Sequence, residues 1–232
     1  MDSLDGLTLG SSVPINLSFL RPHRTVPKTP WTGSHRWDLS PSRFAILISG
    51  LFIFGIGDAL IISAGLGNAP WSVLAQGLAK QVDISIGLAT LLISLTVLLL
   101  WIPLKEKPGL GTVMNILVIA IAIDIGLSIF PSESNSVIEL SMVIIGTFLV
   151  GAGSSLYITC GLGPGPRDGW MTALHFRTGV PVGRVRFGIE LVALTLGWLL
   201  GGTLGIGTLI FALLIGYAIA FWFGVVARFT EQ

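Results

Sequence analysis

GLGNAPW at residues 65–71 and GLGPGPRDGW at residues 161–170 stand at equivalent places in two copies of one repeated unit. Residues 50–126, laid over residues 146–222 without a gap, match at a constant spacing of 96. Chance matches of leucine are frequent in so apolar a chain, whereas matched glycines and prolines indicate that backbone turns and close contacts recur. The sequence therefore predicts one fold that is built twice. The matched positions are Gly50 with Gly146, Gly55 with Gly151, Gly57 with Gly153, Gly65 with Gly161, Gly67 with Gly163, Pro70 with Pro166, Gly87 with Gly183, Gly109 with Gly205, Gly111 with Gly207 and Thr112 with Thr208.

The composition places the chain in a membrane. Apolar residues make up 52% and charged residues only 11% of the 232 residues, and the mean hydropathy is +0.86. A soluble core of this chain length cannot bury so much apolar surface. The formal net charge of +1 gives no support for nucleic-acid binding. The single cysteine, Cys160, provides neither a disulfide framework nor a thiolate metal site.

Six apolar segments are long enough to span about 30 Å of hydrocarbon, which takes roughly 20 helical residues. Each copy contributes three, so the predicted fold class is an all-α integral membrane protein with six transmembrane helices. In each copy a shorter helix follows the GLG-x-x-P loop and begins with a proline at a helix-start position. Its mixture of apolar and polar residues is typical of an interfacial or partly inserted helix. The predicted spans are 43–63, 85–103, 110–130, 138–160, 183–203 and 206–227, and the short helices are 69–82 and 165–178.

The placement of lysine and arginine favours six spans over eight, the number that full crossings by both short helices would give. Short cytoplasmic loops carry the excess of positive charge in membrane proteins. Six spans with a cytoplasmic amino terminus leave Lys80 outside, whereas eight spans would export Lys105, Lys107 and Arg167.

Three spans per copy is an odd number, so the two copies are predicted to be inverted relative to each other. Residues 41–232 then form a single transmembrane domain, with one repeat at about residues 43–130 and the other at about residues 138–228. Residues 1–40 are rich in serine, proline and arginine, and they are predicted to form a flexible cytoplasmic tail.

The GLG loops and the helix starts that follow them form a candidate anion site. Glycines free the backbone to aim several amide groups at one anion, and the positive end of the helix adds to the attraction. In the second copy Arg167 adds a fork-shaped cation. The alternative is a tight glycine-packed turn, in which Asp168 complements the helix start and Arg167 reaches the lipid headgroups. The candidate substrate-binding residues are Gly161, Gly163, Gly165, Arg167, Asp168, Gly169, Gly65 and Gly67.

Three carboxylates lie within the predicted spans, where an ionised acid is costly unless it faces protein or water. They are Asp58, Asp124 and Glu190, and the matching positions of the other copy hold Ser154, Ala220 and Ser94. Any carboxylate function therefore belongs to one copy, and all three are candidates for coupling a proton or ion to transport. The alternatives are a protonated acid or a place near the outer headgroups for the two aspartates, and an ion pair with Arg186, four residues away, for Glu190.

The glycine-rich strings resemble those of a known family, the YczE branch of the YitT/YczE family of bacterial multi-pass membrane proteins. The resemblance covers about residues 40–228, and it implies a protein of the bacterial inner membrane without an established substrate. Ser72 departs from the family pattern, which usually has an acid after the tryptophan. The strings are GLGNAPWSVL at 65–74, GLGPGPRDGWM at 161–171, RTGVPVGRVR at 177–186 and GWLLGGTLGIGT at 197–208.

The sequence as a whole predicts a protein that binds and moves a small solute, with anions favoured by the supporting cations Arg184 and Arg186 beside Arg167. One alternative is a membrane scaffold or regulator that binds a partner protein or a second copy through glycine-lined helix faces. Another is a substrate-capturing subunit of a larger transport complex. Since no residues are spaced for catalysis or for metal ligation, we expect no enzyme activity, no cofactor and no metal.

Overall fold

The computed structural model describes residues 26–130 and 135–230, and these residues form helices joined by loops, with no strand among them. Most of the predicted tail, residues 1–25, lies outside the described part. A short 3-10 turn, Arg228–Thr230, follows the last helix. The helices are α1 (Pro41–Ala64), α2 (Pro70–Val82), α3 (Ile86–Leu99), α4 (Trp101–Leu104), α5 (Leu110–Ile129), α6 (Ser136–Thr159), α7 (Pro166–Thr178), α8 (Val182–Leu199) and α9 (Ile206–Ala227).

Among the described residues, five helices are long and apolar enough to cross a membrane: α1, α3 continued by α4, α5, α6 and α9. The all-helical membrane fold is therefore confirmed. The remaining predicted span forms α8, which is not one of the five and carries Arg184, Arg186 and Glu190. Helices α2 and α7 have 13 residues each, about 20 Å of helix, which is too short to cross.

Glycines bring the central pair of helices, α1 and α6, into close contact. Gly50 on α1 lies against the backbone at Gly153 on α6, and Gly57 lies against Gly146. A Cβ atom on Gly57 would stand 2.7 Å from the Gly146 carbonyl oxygen. Small residues let helix backbones approach in a membrane, where packing rather than the hydrophobic effect holds helices together. Helix α5 packs on α1, and α9 packs on α6.

The two glycine-rich loops dock on helix starts in the other half of the chain. Gly67 and Gly163 both have φ of +109°, which only glycine adopts without strain. Gly67 contacts the start of α9, and Gly163 contacts the start of α5. A hydrogen bond of 2.8 Å fixes each loop, from Gly207 N to Leu66 O and from Gly111 N to Leu162 O.

The two halves differ in how their outer helices pack. In the first half α3 packs on α5, and Asp124 on α5 accepts hydrogen bonds from Ser85 Oγ at 2.6 Å and Gly87 N at 2.8 Å. In the second half α8 makes almost no contact with α9 among the described residues. No heavy atom lies within 4 Å of a Cβ built on Gly183, the match of Gly87. We call the Asp124 contact with Ser85 and Gly87 the α3 latch.

Residues 29–38 are held across the ends of α5 and α6 rather than extending freely, which differs from the expected flexible tail through residue 40. Trp31 Nε1 donates to Thr159 Oγ1 at 3.1 Å. Gly33 N donates to Cys160 O at 2.8 Å, and Arg36 O accepts from Leu110 N at 2.9 Å. These backbone groups give the segment fixed partners that its polar composition does not reveal.

Candidate functional site

A cavity of about 160 Å³ with charged side chains in a largely apolar wall lies among the helices, between α1, α2 and α5 on one side and α6 to α9 on the other. We call it the central cavity. Of the residues predicted for a site, it brings together two cations, three acids and one glycine. These are Arg167, Arg186, Asp58, Asp168, Glu190 and Gly165.

Arg167, the second residue of α7, has unused hydrogen-bond donors in this cavity. Its guanidinium stacks over the indole ring of Trp71, with 5.1 Å between the guanidinium carbon and the ring centroid. Among the described residues it donates no hydrogen bond, and no carboxylate oxygen lies within 4.0 Å of it. Stacking contributes about 0.5–2 kcal/mol but leaves the five N–H donors without acceptors. Arg167 can therefore receive an anionic group of a ligand.

Each carboxylate of the central cavity has a partner of its own. Both oxygens of Asp58 lie 2.8 Å from Ser72 Oγ, and both residues are buried. Asp168 Oδ2 accepts from the buried Tyr157 hydroxyl at 2.8 Å. Two of the three acids are thus held by neutral hydroxyl groups, so their charges are oriented but not neutralised.

Glu190 is the third acid, and it pairs with a cation. Its Oε1 lies 2.8 Å from Arg186 Nε, one turn earlier on α8. The pair is partly exposed, with side-chain exposures of 50% for Arg186 and 29% for Glu190. The ion pair expected as the alternative for Glu190 is therefore present at the edge of the cavity.

Two further polar side chains, those of Asn115 and Ser154, line the central cavity without hydrogen-bond partners among the described residues. The indole N–H of Trp71 also lacks an acceptor, but its nitrogen is fully buried. Buried polar groups normally find partners, so unpaired donors around one cavity indicate that it holds water or a polar ligand.

Fourteen of the 21 residues that line the central cavity form pairs that stand 96 positions apart, so matching positions of both copies contribute to one cavity. The acid and the hydroxyl exchange places between the copies, because Asp58 and Ser72 in the first match Ser154 and Asp168 in the second. Trp71 and Arg167, which stack on each other, are also a matched pair. Among the described lining residues, the pairs are Phe54 with Val150, Asp58 with Ser154, Ala69 with Gly165, Trp71 with Arg167, Ser72 with Asp168, Asn115 with Phe211 and Ile119 with Ile215.

Other predicted site residues lie outside the central cavity. Arg184 is exposed on α8, and Asp124 belongs to the α3 latch. Gly169 packs against the ring of Trp101. Gly65, Gly67, Gly161 and Gly163 have positive φ and form the two packed turns before α2 and α7. Within the described residues, no group of three or more His, Cys, Asp or Glu side chains is placed to hold a metal ion.

Sequence reasoning missed Trp71, Asn115 and Tyr157 because it searched for charges and glycines. The available signal was the spacing of 96, which places Trp71 opposite Arg167 and Ser72 opposite Asp168. Asn115 and Tyr157 have no polar match in the other copy, where Phe211 and Ile61 stand, so this signal does not reach them.

This chain is similar to proteins whose names call them uncharacterised. A model of a family of unknown function, DUF6198, matches residues 41–223. An uncharacterised protein of Haemophilus influenzae is 42% identical over 205 residues, which are 88% of this chain and 94% of the relative. The uncharacterised membrane protein YczE of Bacillus subtilis is 32% identical over 181 residues, which are 77% and 84%. No solved structure matches. The resemblance that the glycine-rich strings predicted is confirmed.

Proposed function

We propose that this integral membrane protein, which belongs to DUF6198, a family of unknown function, transports a small solute that carries an anionic group. The observation that carries the proposal is the cavity lining, in which matched positions of both copies meet. Transporters built from two copies of one unit place their substrate site at the interface between the copies. A repeat that served packing alone would not need charged side chains there, where burying them is costly.

We propose that the copies are inverted repeats of three spans each, with α8 as the sixth span. The contacts of Gly50 with Gly153 and of Gly57 with Gly146 support this, because exchanging the copies turns one contact into the other. The 18 residues of α8 reach about 27 Å, close to the thickness of the hydrocarbon core. Arg186 and Glu190 on α8 line the cavity, as charged residues in a membrane-spanning helix are expected to do.

The proposed topology places both termini in the cytoplasm, with the protein in the inner membrane of a bacterium. Lys105 and Lys107 follow α4, and Arg177 and Arg184 flank the α7–α8 turn, so six spans bring these cations to the cytoplasmic side. The positive-inside rule supports this orientation.

The difference between the two halves supports alternating access. A second cavity of about 240 Å³ lies between α8 and α9 and shares Arg186 and Glu190 with the central cavity. The central cavity is therefore open between α8 and α9. In the first half the matching helices, α3 and α5, are held together by the α3 latch. In the opposite state α8 closes on α9 and the α3 latch releases, which exposes the cavity to the other side.

In this mechanism Arg167 holds the anionic group of the solute. Asp58, the buried carboxylate beside Ser72, is the candidate for coupling a proton or ion. Asp124 has a different part, since its carboxylate holds the α3 latch outside the cavity.

Uptake by proteoliposomes tests the proposal, with small organic anions and zwitterions as the panel. We expect the parent protein to take up at least one solute, and Arg167→Ala to lose about 10- to 100-fold in uptake at low solute concentration. This loss corresponds to a charge-assisted hydrogen bond of about 1.5–3 kcal/mol. Arg184→Ala is the matched control and should keep the parent rate, because Arg184 is exposed and lies outside the cavity. Equal uptake by Arg167→Ala and the parent would contradict the proposal, and a stoichiometric protein partner without any uptake would favour a scaffold.

A further inference from the structure

We infer that the solute is a small zwitterion, whose anionic group binds Arg167 and whose cationic group binds Asp168. This inference rests on the proposed function of the central cavity and adds the chemical class of its ligand. It follows from the balance of charges in the cavity, from the groups that lack partners and from the volume.

The ionisable groups of the central cavity do not all need a ligand. Arg186 and Glu190 form an ion pair at 2.8 Å and neutralise each other. The Ser72 hydroxyl shares its one proton between the two carboxylate oxygens of Asp58, and the proposed function assigns this acid to coupling rather than to the solute. One guanidinium and one carboxylate remain, those of Arg167 and Asp168, which are adjacent in sequence at the start of α7. This arrangement is the complement of a molecule with one negative and one positive group.

A simple anion fits the same cavity less well. With Arg186 paired, the described lining carries the negative charges of Asp58 and Asp168 and the positive charge of Arg167, and a bound anion adds another negative charge. Like charges that share one cavity repel each other, because the protein interior screens them less than water does. A zwitterion leaves the net charge unchanged, and its cationic group turns repulsion by Asp168 into attraction.

The hydrogen-bonding groups favour the same class of ligand. Tyr157 holds Asp168 Oδ2 and leaves Oδ1 without a partner among the described residues. The side-chain amide of Asn115 adds donors without acceptors to the cavity that contains Arg167. A carboxylate that pairs with Arg167 through two parallel hydrogen bonds has acceptor positions left for the Asn115 amide, and a solute ammonium offers donors to Oδ1.

The volume sets the size of the solute. The central cavity encloses about 160 Å³. A protein cavity of about 150 Å³ accommodates benzene, a molecule of six heavy atoms. The part of the ligand that the central cavity holds therefore has the size of an amino acid of few carbons.

Thermal unfolding of the detergent-purified full chain at pH 7 tests this inference with three matched series of probes. The zwitterions are glycine, 3-aminopropionate and 4-aminobutyrate, the anions are acetate, propionate and butyrate, and the amines are methylamine, ethylamine and propylamine. A ligand that binds the folded state raises the melting temperature by mass action, by about 5–10 °C at 100 times its Kd for a chain of this size. We expect at least one zwitterion to do so, while the anion and the amine of equal length do not.

Two variants locate the two charges of the ligand. Arg167→Ala should abolish the shift, whereas Arg184→Ala should keep it. Asp168→Asn should lose at least tenfold in affinity for the zwitterion and should gain affinity for the anion of equal length, because it removes one negative charge. The melting temperature of each variant without ligand shows whether it is folded.

Two results would overturn the inference, and they have different meanings. If an anion stabilises the parent more than every zwitterion and its affinity rises as the pH falls, the ligand is an anion that binds with a proton, and the proposed function survives. If no probe shifts the parent and proteoliposomes take up no solute of any class, the proposed function fails and the zwitterion with it.

Discussion

The crossing of α1 and α6 depends on glycine, so replacing Gly57 by alanine should destabilise the protein. A Cβ atom at this position would lie 2.7 Å from Gly146 O, 2.8 Å from Leu149 Cβ and 2.8 Å from Val150 N. Carbon contacts are optimal at about 3.5–4.0 Å, so the helices would have to separate by close to 1 Å. Two of the three atoms belong to the backbone of α6 and cannot rotate away. Overpacking of this kind costs about 1–3 kcal/mol, and the better helix propensity of alanine returns about 0.5–1 kcal/mol.

Gly188 on α8 is the matched control for this substitution. It is also a helical glycine, but no heavy atom lies within 4 Å of a Cβ built on it. Alanine at this position should therefore stabilise the protein by about 0.5–1 kcal/mol, since only the conformational entropy of glycine is removed.

Thermal unfolding of both variants in the same detergent measures the difference. One kcal/mol corresponds to about 2–4 °C for a chain of this size, so Gly57→Ala should melt below the parent by up to about 10 °C and Gly188→Ala about 1–4 °C above it. If Gly57→Ala melts at or above the parent temperature, the backbones of α1 and α6 do not approach each other as described and the reasoning is refuted.

The remaining predictions concern the outer helices and the segment before α1. Gly183 and Ala220 match Gly87 and Asp124, the residues that meet in the α3 latch. If α8 closes on α9 as α3 closes on α5, cysteines at both positions in a Cys160→Ser background, Gly183→Cys and Ala220→Cys, should form a disulfide under oxidation. This disulfide should stop uptake until a reductant is added. The pKa of Asp38 is lowered, mainly by the hydrogen bond that its carboxylate accepts from the Ser34 amide. The ionised carboxylate therefore stabilises the folded protein at a pH above the unfolded pKa of Asp38. This contribution is lost as the pH falls through the folded pKa. Asp38→Asn should therefore melt below the parent at pH 7, and this gap should close in acid.

Each of these predictions has a result that contradicts it. Failure of the two cysteines to cross-link in actively transporting protein would show that α8 does not reach α9. A melting difference between Asp38→Asn and the parent that stays constant from pH 7 into acid would show that the charge of Asp38 does not stabilise the segment.

The helix boundaries were predictable because their signals are local. The span predicted at residues 206–227 is α9 itself, and prolines begin α2 and α7 at residues 70 and 166. Length, apolar composition and the glycine and proline positions sufficed. These local signals are weaker for helix α8, because Arg186 and Glu190 lower its apolar character. The role of both residues depends on the cavity that they line.

The candidate site was less predictable, because chemically equivalent residues have different places in three dimensions. Asp58 and Asp124 were indistinguishable as acids within predicted spans, yet Asp58 lines the central cavity and Asp124 holds the α3 latch. Arg167 was expected at the loop or at the headgroups, and it lies over Trp71, 96 positions away. Contacts between residues far apart in the sequence decide these places, and no single stretch of sequence records them.

Access to the central cavity from the two sides of the membrane tests the central claim most directly, and it does not require the solute to be known. Asn115 lines the cavity, is half-buried and makes no side-chain hydrogen bond among the described residues, so Asn115→Cys in the Cys160→Ser background is a suitable reporter. A membrane-impermeant maleimide is applied to one face or the other of oriented proteoliposomes. The transport account predicts labelling of Asn115→Cys from both faces, and labelling from one face alone would contradict it.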